Sequence, residues 1–256
     1  MQEPEHILIG GNVATNVVRV GSTVRKPVTI ATPAVKSLLD FLHDAGYPAS
    51  PQHLGIDEHG RQILQFIPGV VSSSGPLLSL RELEDVGKLI RHFHELSARF
   101  HAAPEARWDV AMTPDRQAII CHNDLAPWNL IRNGDRFVFI DWDASGPGSQ
   151  LWDLSYAALT FTPVVLHGLI GEMVPRIGAL IRGYDLSSIQ GLALPAMMRR
   201  RALEMKDLLV NGAANGTQPW ARFHAEGHAS YWEGAANFVF EHHSELELVC
   251  AKSTRQ

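Results

Sequence analysis

Cys121-His122-Asn123-Asp124-Leu125-Ala126-Pro127-Trp128-Asn129-Leu130-Ile131, followed by Phe137-Val138-Phe139-Ile140-Asp141-Trp142-Asp143, is the stretch whose reading decides this fold. Two apolar runs of β type, Ala118–Cys121 and Phe137–Ile140, bracket a loop rich in polar residues. His122, Asp124 and Asn129 lie on the loop leaving the first strand, and Asp141 lies at the end of the next, 12 residues after Asn129. Two neighbouring strand ends then present an acid and an amide beside a second acid. Asn129 and Asp141 offer the oxygen ligands that a hard cation such as Mg2+ takes together with water and phosphate oxygens. Asp124 is left free as a base. A His-x-Asp-x-x-x-x-Asn spacing is expected by chance roughly 0.02 times in a chain of this composition.

On the C-terminal side of this stretch everything from Leu151 onward reads as helical, with segments near 152–184, 187–211 and 218–247. On its N-terminal side Ser79 caps a helix running to about Ala103, whose Leu83, Val86, Leu89, Ile90, Phe93 and Leu96 form one buried stripe. A Ser72-Ser73-Ser74-Gly75-Pro76 linker separates that helix from a different pattern. Short β runs broken by glycine occupy the first 70 residues: His6–Ile9, Asn16–Val20, Thr23–Val28, then Gln52–Ile56 and Gln62–Ile67 around an Asp57-Glu58-His59-Gly60 turn. Between the third and fourth runs, Thr32-Pro33 reads as an N-cap followed by proline, and Val35, Leu38, Leu39 and Leu42 make the apolar face of a helix ending near Gly46. A small five-stranded sheet with one helix therefore precedes a larger helical lobe. Gly10-Gly11 between the first two strands lets backbone approach a phosphate closely, or simply closes a hairpin.

Composition narrows the partners. The chain has 256 residues, 45% of them hydrophobic, enough for a sizeable core without a metal or disulfide staple. With 22 Lys+Arg against 27 Asp+Glu its net charge is −5, a field that repels nucleic-acid phosphates. No apolar run reaches membrane-span length, and the acidic Met1–Glu5 start is unlike a signal peptide. Cys121 and Cys250 are too few for a disulfide framework. Nucleic acid and membrane are excluded as partners, and the chain reads as cytoplasmic with two free thiols.

Taken in order, these segments resemble the aminoglycoside phosphotransferase and choline kinase group, small-molecule kinases with the protein-kinase-like fold. The resemblance rests on Gly10-Gly11-Asn12 with Asn16, Arg25 on the third strand, Phe66-Ile67-Pro68-Gly69 at the lobe junction, His122 to Asn129, Ile140-Asp141-Trp142 and Asp153-Leu154-Ser155. It implies an α+β, bilobal chain: residues 1–69 as a nucleotide-binding lobe and 70–256 as a mostly helical lobe carrying the catalytic loop and acceptor site. It further implies ATP, with GTP open, and Mg2+ as cofactors, and a hydroxyl of a small molecule as acceptor: an aminoglycoside, an aminoalcohol or a sugar derivative. Asp124 is then the catalytic base with His122 ordering its loop, and Asn129 and Asp141 hold the metal. Gly10, Gly11, Asn12, Arg25, Gln65 and Ile67 contact the nucleotide, and Asp153 braces the loop. Arg25 is preferred over Lys26 as the phosphate-holding residue because its register follows the apolar Val24. Asp143 is open between a second metal, the acceptor and solvent.

One departure stands out. Kinases of this group generally pair the third-strand base with a glutamate on the N-lobe helix, yet Ala34–Ala45 contains none, and its Asp40 and Asp44 lie off the buried face. The alternative function is a nucleotide-binding pseudokinase or immunity-type protein that works by binding a partner. His224 and His228 stand at i and i+4 as a zinc pair would, but Glu226 is misplaced for the metalloprotease motif and Gly227 weakens the helix, so metal binding is set aside. Arg199-Arg200-Arg201 reads as a solvated or capping cluster, and Trp220, Phe223, Tyr231, Trp232, Phe238 and Phe240 as helical core, with some left to line an acceptor pocket.

Overall fold

Tight turns at Gly21 (φ 58°) and Gly60 (φ 73°) let the N-terminal β runs fold back on one another. At the second turn Asp57 Oδ1 accepts the N–H groups of His59 and Arg61 at 3.0 and 2.8 Å. The resulting antiparallel strands are β1 (Glu5–Ile7), β2 (Val18–Val20), β3 (Thr23–Pro27), β4 (His53–Ile56) and β5 (Arg61–Gln65), in the order β1-β2-β3-β5-β4. This computed structural model describes residues 4–8, 16–162 and 169–252. Gly10, Gly11 and Asn12 lie outside the described residues.

Helix α1 (Thr32–Asp44) buries Val35, Leu38, Leu39 and Leu42, the expected face. Thr32 is its first helical residue and not its cap. Ala31 holds the cap position, and the Thr32 hydroxyl instead accepts the Thr29 N–H at 2.9 Å. Helix α2 (Leu80–Ser97) begins with a reciprocal Ser79/Glu82 capping box. It stops at Ser97, short of Ala103, where the Ser97 hydroxyl bonds both the N–H (2.9 Å) and the carbonyl (2.6 Å) of Ile120. The helix end is thereby tied to the strand that leads into the catalytic loop.

Several short strands escape the sequence pattern because their partners are distant. The linker is ordered: β6 (Val70–Val71) pairs with β8 (Leu130–Asn133), which forms a hairpin with β9 (Arg136–Phe139). β7 (Ile119–Cys121) pairs with β10 (Gly146–Gly148). The expected 152–184 helix is two, α3 (Gln150–Phe161) and α4 (Ile170–Tyr184). α5 (Ser188–Asn215) follows, and the expected 218–247 segment is α6 (Trp220–Ala225), α7 (His228–Glu241) and α8 (His243–Lys252), broken at Gly227 (φ 88°) and His242. Helices α2 and α4 cross where Gly87 faces the Leu180 carbonyl and Gly183 faces the Glu84 carbonyl, too close for any Cβ. Among the described residues no helix is long and apolar enough to cross a membrane.

Candidate active site

The site forms where the small sheet meets the catalytic loop. Side chains alternate along β3, so Arg25 and Lys26 point to opposite faces. The structure places the two residues against different acids. Lys26, buried, reaches across to Asp141 Oδ1 and to Asp143 Oδ2 at 2.9 Å. Arg25 faces the other way, to Thr23 Oγ1 and to Asp57 at 3.5 Å. Burial works against the Lys26 charge, but the two carboxylates outweigh it and hold its pKa above the ordinary lysine value. Asp143 therefore supplies the acid that α1 lacks. The α1 candidates are occupied elsewhere or exposed: Asp40 pairs with Lys36 and Asp44 faces solvent.

Asp141 follows β9 in the left-handed conformation (φ 60°, ψ 61°), a turn that brings both Asp141 and Asp143 back toward Lys26. Asp124 lies on the loop after β7. Its Oδ2 accepts from Asn129 Nδ2 at 2.7 Å, and Trp128 and Tyr156 donate to the same carboxylate. Burial first, and then repulsion from Asp141, push the Asp124 pKa up to about 6 despite these three donors. His122 Nδ1 accepts the Asp124 N–H at 3.3 Å, so the ring proton sits on Nε2, which donates to the Ile140 carbonyl at 3.1 Å. Burial keeps this imidazole below its ordinary pKa. Both of its nitrogens are spent on backbone, tying the two strand ends together.

Behind the loop, Asp153 at the start of α3 is wholly buried. Its oxygens accept the N–H groups of His122 (2.8 Å) and Asn123 (2.9 Å), and His94 Nε2 lies 3.1 Å away. Burial opposes its charge, but these bonds win and hold its pKa below the ordinary carboxylate value. Asn123 is left-handed (φ 67°). Arg201, expected in a surface cluster, is instead buried (1% exposed) with Nη2 on the Asn123 carbonyl at 2.9 Å. Only its neighbours fit that expectation: Arg200 pairs with Glu204 at 2.7 Å, and Arg199 covers the exposed Phe240 ring. Sequence reading missed Lys26, Tyr156 and Arg201. Strand alternation carried a signal for Lys26, since it contrasts with Arg25, whereas nothing local marked the other two.

At the lobe junction the Gln65 N–H is spent on the Gln52 carbonyl and the Phe66 N–H on that of Ser22, both at 2.9 Å. Among the described residues no protein acceptor takes the Ile67 N–H, which leaves a main-chain donor for a flat heterocycle. For a divalent cation, Asn129 gives its Nδ2 to Asp124 and keeps Oδ1, while Asp141 and Asp143 add carboxylate oxygens. Such an all-oxygen, partly hydrated donor set fits Mg2+. Among the described residues no group of three or more His, Cys, Asp or Glu is arranged to hold a metal by itself, and His228 stacks on Phe223 at 5.2 Å.

Two lobes meeting at a lysine, a paired acid and a loop-borne aspartate define a protein of the kinase-like fold. Residues 97–173 match the model of the phosphotransferase enzyme family. Over 96% of its length the chain is 25% identical to the trifolitoxin immunity protein of Rhizobium leguminosarum bv. trifolii, of which it covers 99%. In fold it is similar to a microcompartment-associated aminopropanol kinase (TM-score 0.67, 16% identity, 96% of this chain and 94% of that one). It is also similar to an amicoumacin kinase solved in complex with AMP-PNP, Ca2+ and Ami (TM-score 0.63, 10% identity, 91% of this chain and 88% of that one). The matched segment holds the loop of His122 to Asn129, and the fold of the chain is the one these kinases share.

Proposed function

We propose that the chain transfers the γ-phosphate of ATP to a hydroxyl of a small molecule with Mg2+. The observation that carries this reading is Asp124, held by Asn129, Trp128 and Tyr156 and facing the Lys26–Asp141–Asp143 cluster across the lobe junction. Such a transfer needs positioning and charge neutralisation more than covalent help. Asp124 orients the acceptor hydroxyl and takes its proton as the acceptor oxygen bonds to the γ-phosphorus and the bond to ADP breaks. Lys26 turns from its carboxylates to the nucleotide phosphates, and Asn129 and Asp141 would hold Mg2+. The metal supplies neutralisation of phosphate charge. His122 orders the loop and stays out of the proton path. Residues 1–69 bind nucleotide, with Gly10, Gly11 and Asn12 covering the phosphates and Ile67 meeting the base, while residues 70–256 carry the acceptor.

The acceptor reading is a small cationic alcohol. Beside Asp124 the partly exposed Trp128 (38%) stands edge-on to Tyr156, which is buried behind it with Trp232 stacked on its ring at 5.6 Å. Aromatic faces beside a carboxylate attract an ammonium group. ADP release with MgATP against amino alcohols, aminoglycosides and sugars, with Asp124→Asn alongside, tests both levels. Acceptor-dependent release that disappears in the variant is expected, strongest with the amino alcohols. Absence of nucleotide binding would overturn the reading. The immunity relative favours a second reading, partner binding without turnover, which predicts a partner interaction that survives Asp124→Asn.

A further inference from the structure

We propose that Arg201 is a positioning residue for this transfer, aiming Asp124 through Asn123 and Tyr156. The inference rests on Asp124 being the base. A buried guanidinium is costly, and an apolar side chain packed between Trp152 and Met112 would fill the same space more cheaply. Among the described residues no carboxylate lies within ion-pair distance of Arg201, and its Nε has no hydrogen-bond partner. What the charge does must therefore be read from its other contacts.

Those contacts converge on the base. Nη2 donates to the Asn123 carbonyl at 2.9 Å, and Nη1 rests on Met112 Sδ at 2.9 Å. With that bond every polar group of Asn123 is engaged: its N–H on Asp153, its Nδ2 on the Ala144 carbonyl and its Oδ1 on Trp152 Nε1. The guanidinium also stacks over Trp152 (4.3 Å) and Tyr156 (4.8 Å). These are the two rings whose polar tips hold Asn123 and Asp124. One planar cation thus fixes both the peptide entering Asp124 and the phenol bonded to its carboxylate. A lysine cannot reproduce a flat fork that stacks and donates at once.

Arg201→Met, Arg201→Lys, Tyr156→Phe and the Arg201→Met/Tyr156→Phe double variant test this, with competent sites counted by stoichiometric binding of a non-hydrolysable ATP analogue. Misaiming the base is expected to lower kcat per competent site about 100-fold in Arg201→Met and about tenfold in Arg201→Lys, with KM for MgATP unchanged. Because both residues act on one carboxylate, adding Tyr156→Phe to Arg201→Met should cost less than Tyr156→Phe alone. Unchanged kcat per competent site, or losses that simply multiply, would overturn the proposal. Nitrogen-15 NMR separates it from the kinase reading, since losing the bond to the Asn123 carbonyl must move the Asp124 amide resonance. An unmoved amide overturns the role of Arg201 even in an active enzyme. A moved amide in a chain that turns over no acceptor supports the positioning and overturns the proposed activity instead.

Discussion

The front and back of the catalytic loop each hold a buried carboxylate, and the two are driven in opposite directions. Behind the loop, Asp153 accepts two backbone N–H groups beside His94, and its charged form is stabilised. In front, Asp124 has three donors as well, yet burial and the nearby Asp141 charge raise its pKa to about 6. The difference is the sign of the surroundings: backbone dipoles and a histidine at the back, a second acid at the front. A loop built this way keeps its shape through one carboxylate and holds the other with a raised pKa, the condition the proposed base requires.

The sharpest way to break the comparison is to neutralise each acid. Asp124→Asn should lower turnover by about 10²–10⁴ while MgATP still binds, checked by kinetics beside equilibrium binding. Its stability should move the opposite way. A carboxylate whose folded pKa is raised contributes most below its unfolded value and loses that contribution as pH rises toward about 6. The variant should therefore melt higher than the parent at neutral pH, with the gap closing in acid. Asp153→Ala should unfold the comparison from the other side, costing about 3–5 kcal/mol by leaving buried donors unpaired. Denaturant titration measures it. Because the folded pKa of Asp153 is lowered, its contribution is present above the unfolded value and disappears as pH falls below it.

Smaller effects sharpen the front face. Lys26→Met should reduce kcat/KM for MgATP about 10²–10³-fold, since it removes the cation that meets Asp141 and Asp143. The pH profile of kcat/KM should fall tenfold per unit below about 6 as Asp124 takes up a proton. Raising Mg2+ should shift that limb to lower pH by screening Asp141. Arg25→Met, one residue from Lys26, should change kcat/KM by less than about threefold, because the Arg25 pair with Asp57 is on the other side of the sheet.

The catalytic-loop motif was legible because its residues are close in sequence and chemically unusual together: His122, Asp124, Asn129 and Asp141 fall within one stretch bounded by two strands. The five strands of the small sheet and the buried face of α1 were legible for a similar reason, since turn glycines and apolar periodicity are local signals. Strands β6, β8 and β10 were not, because strands this short gain their pairing only from partners far along the chain. The same limit governed the site. Alternation along β3 showed that Arg25 and Lys26 diverge, but which face met the acids depended on how the two lobes close.

By itself, then, the sequence determined the kinase-like fold class, the loop that carries Asp124 and the absence of a glutamate on α1. Tertiary structure alone decided that Lys26, and not Arg25, meets Asp141 and Asp143, and that its acid partners come from the segment after β9 and not from α1. It also placed Arg201 beneath Asn123 and Tyr156, far from the surface its three-arginine run suggested. The physical reason is common to all three. Chain-local preference fixes periodicity and turns, whereas a buried charge is settled by the sum of its desolvation and every group packed around it, most of which lie many residues away.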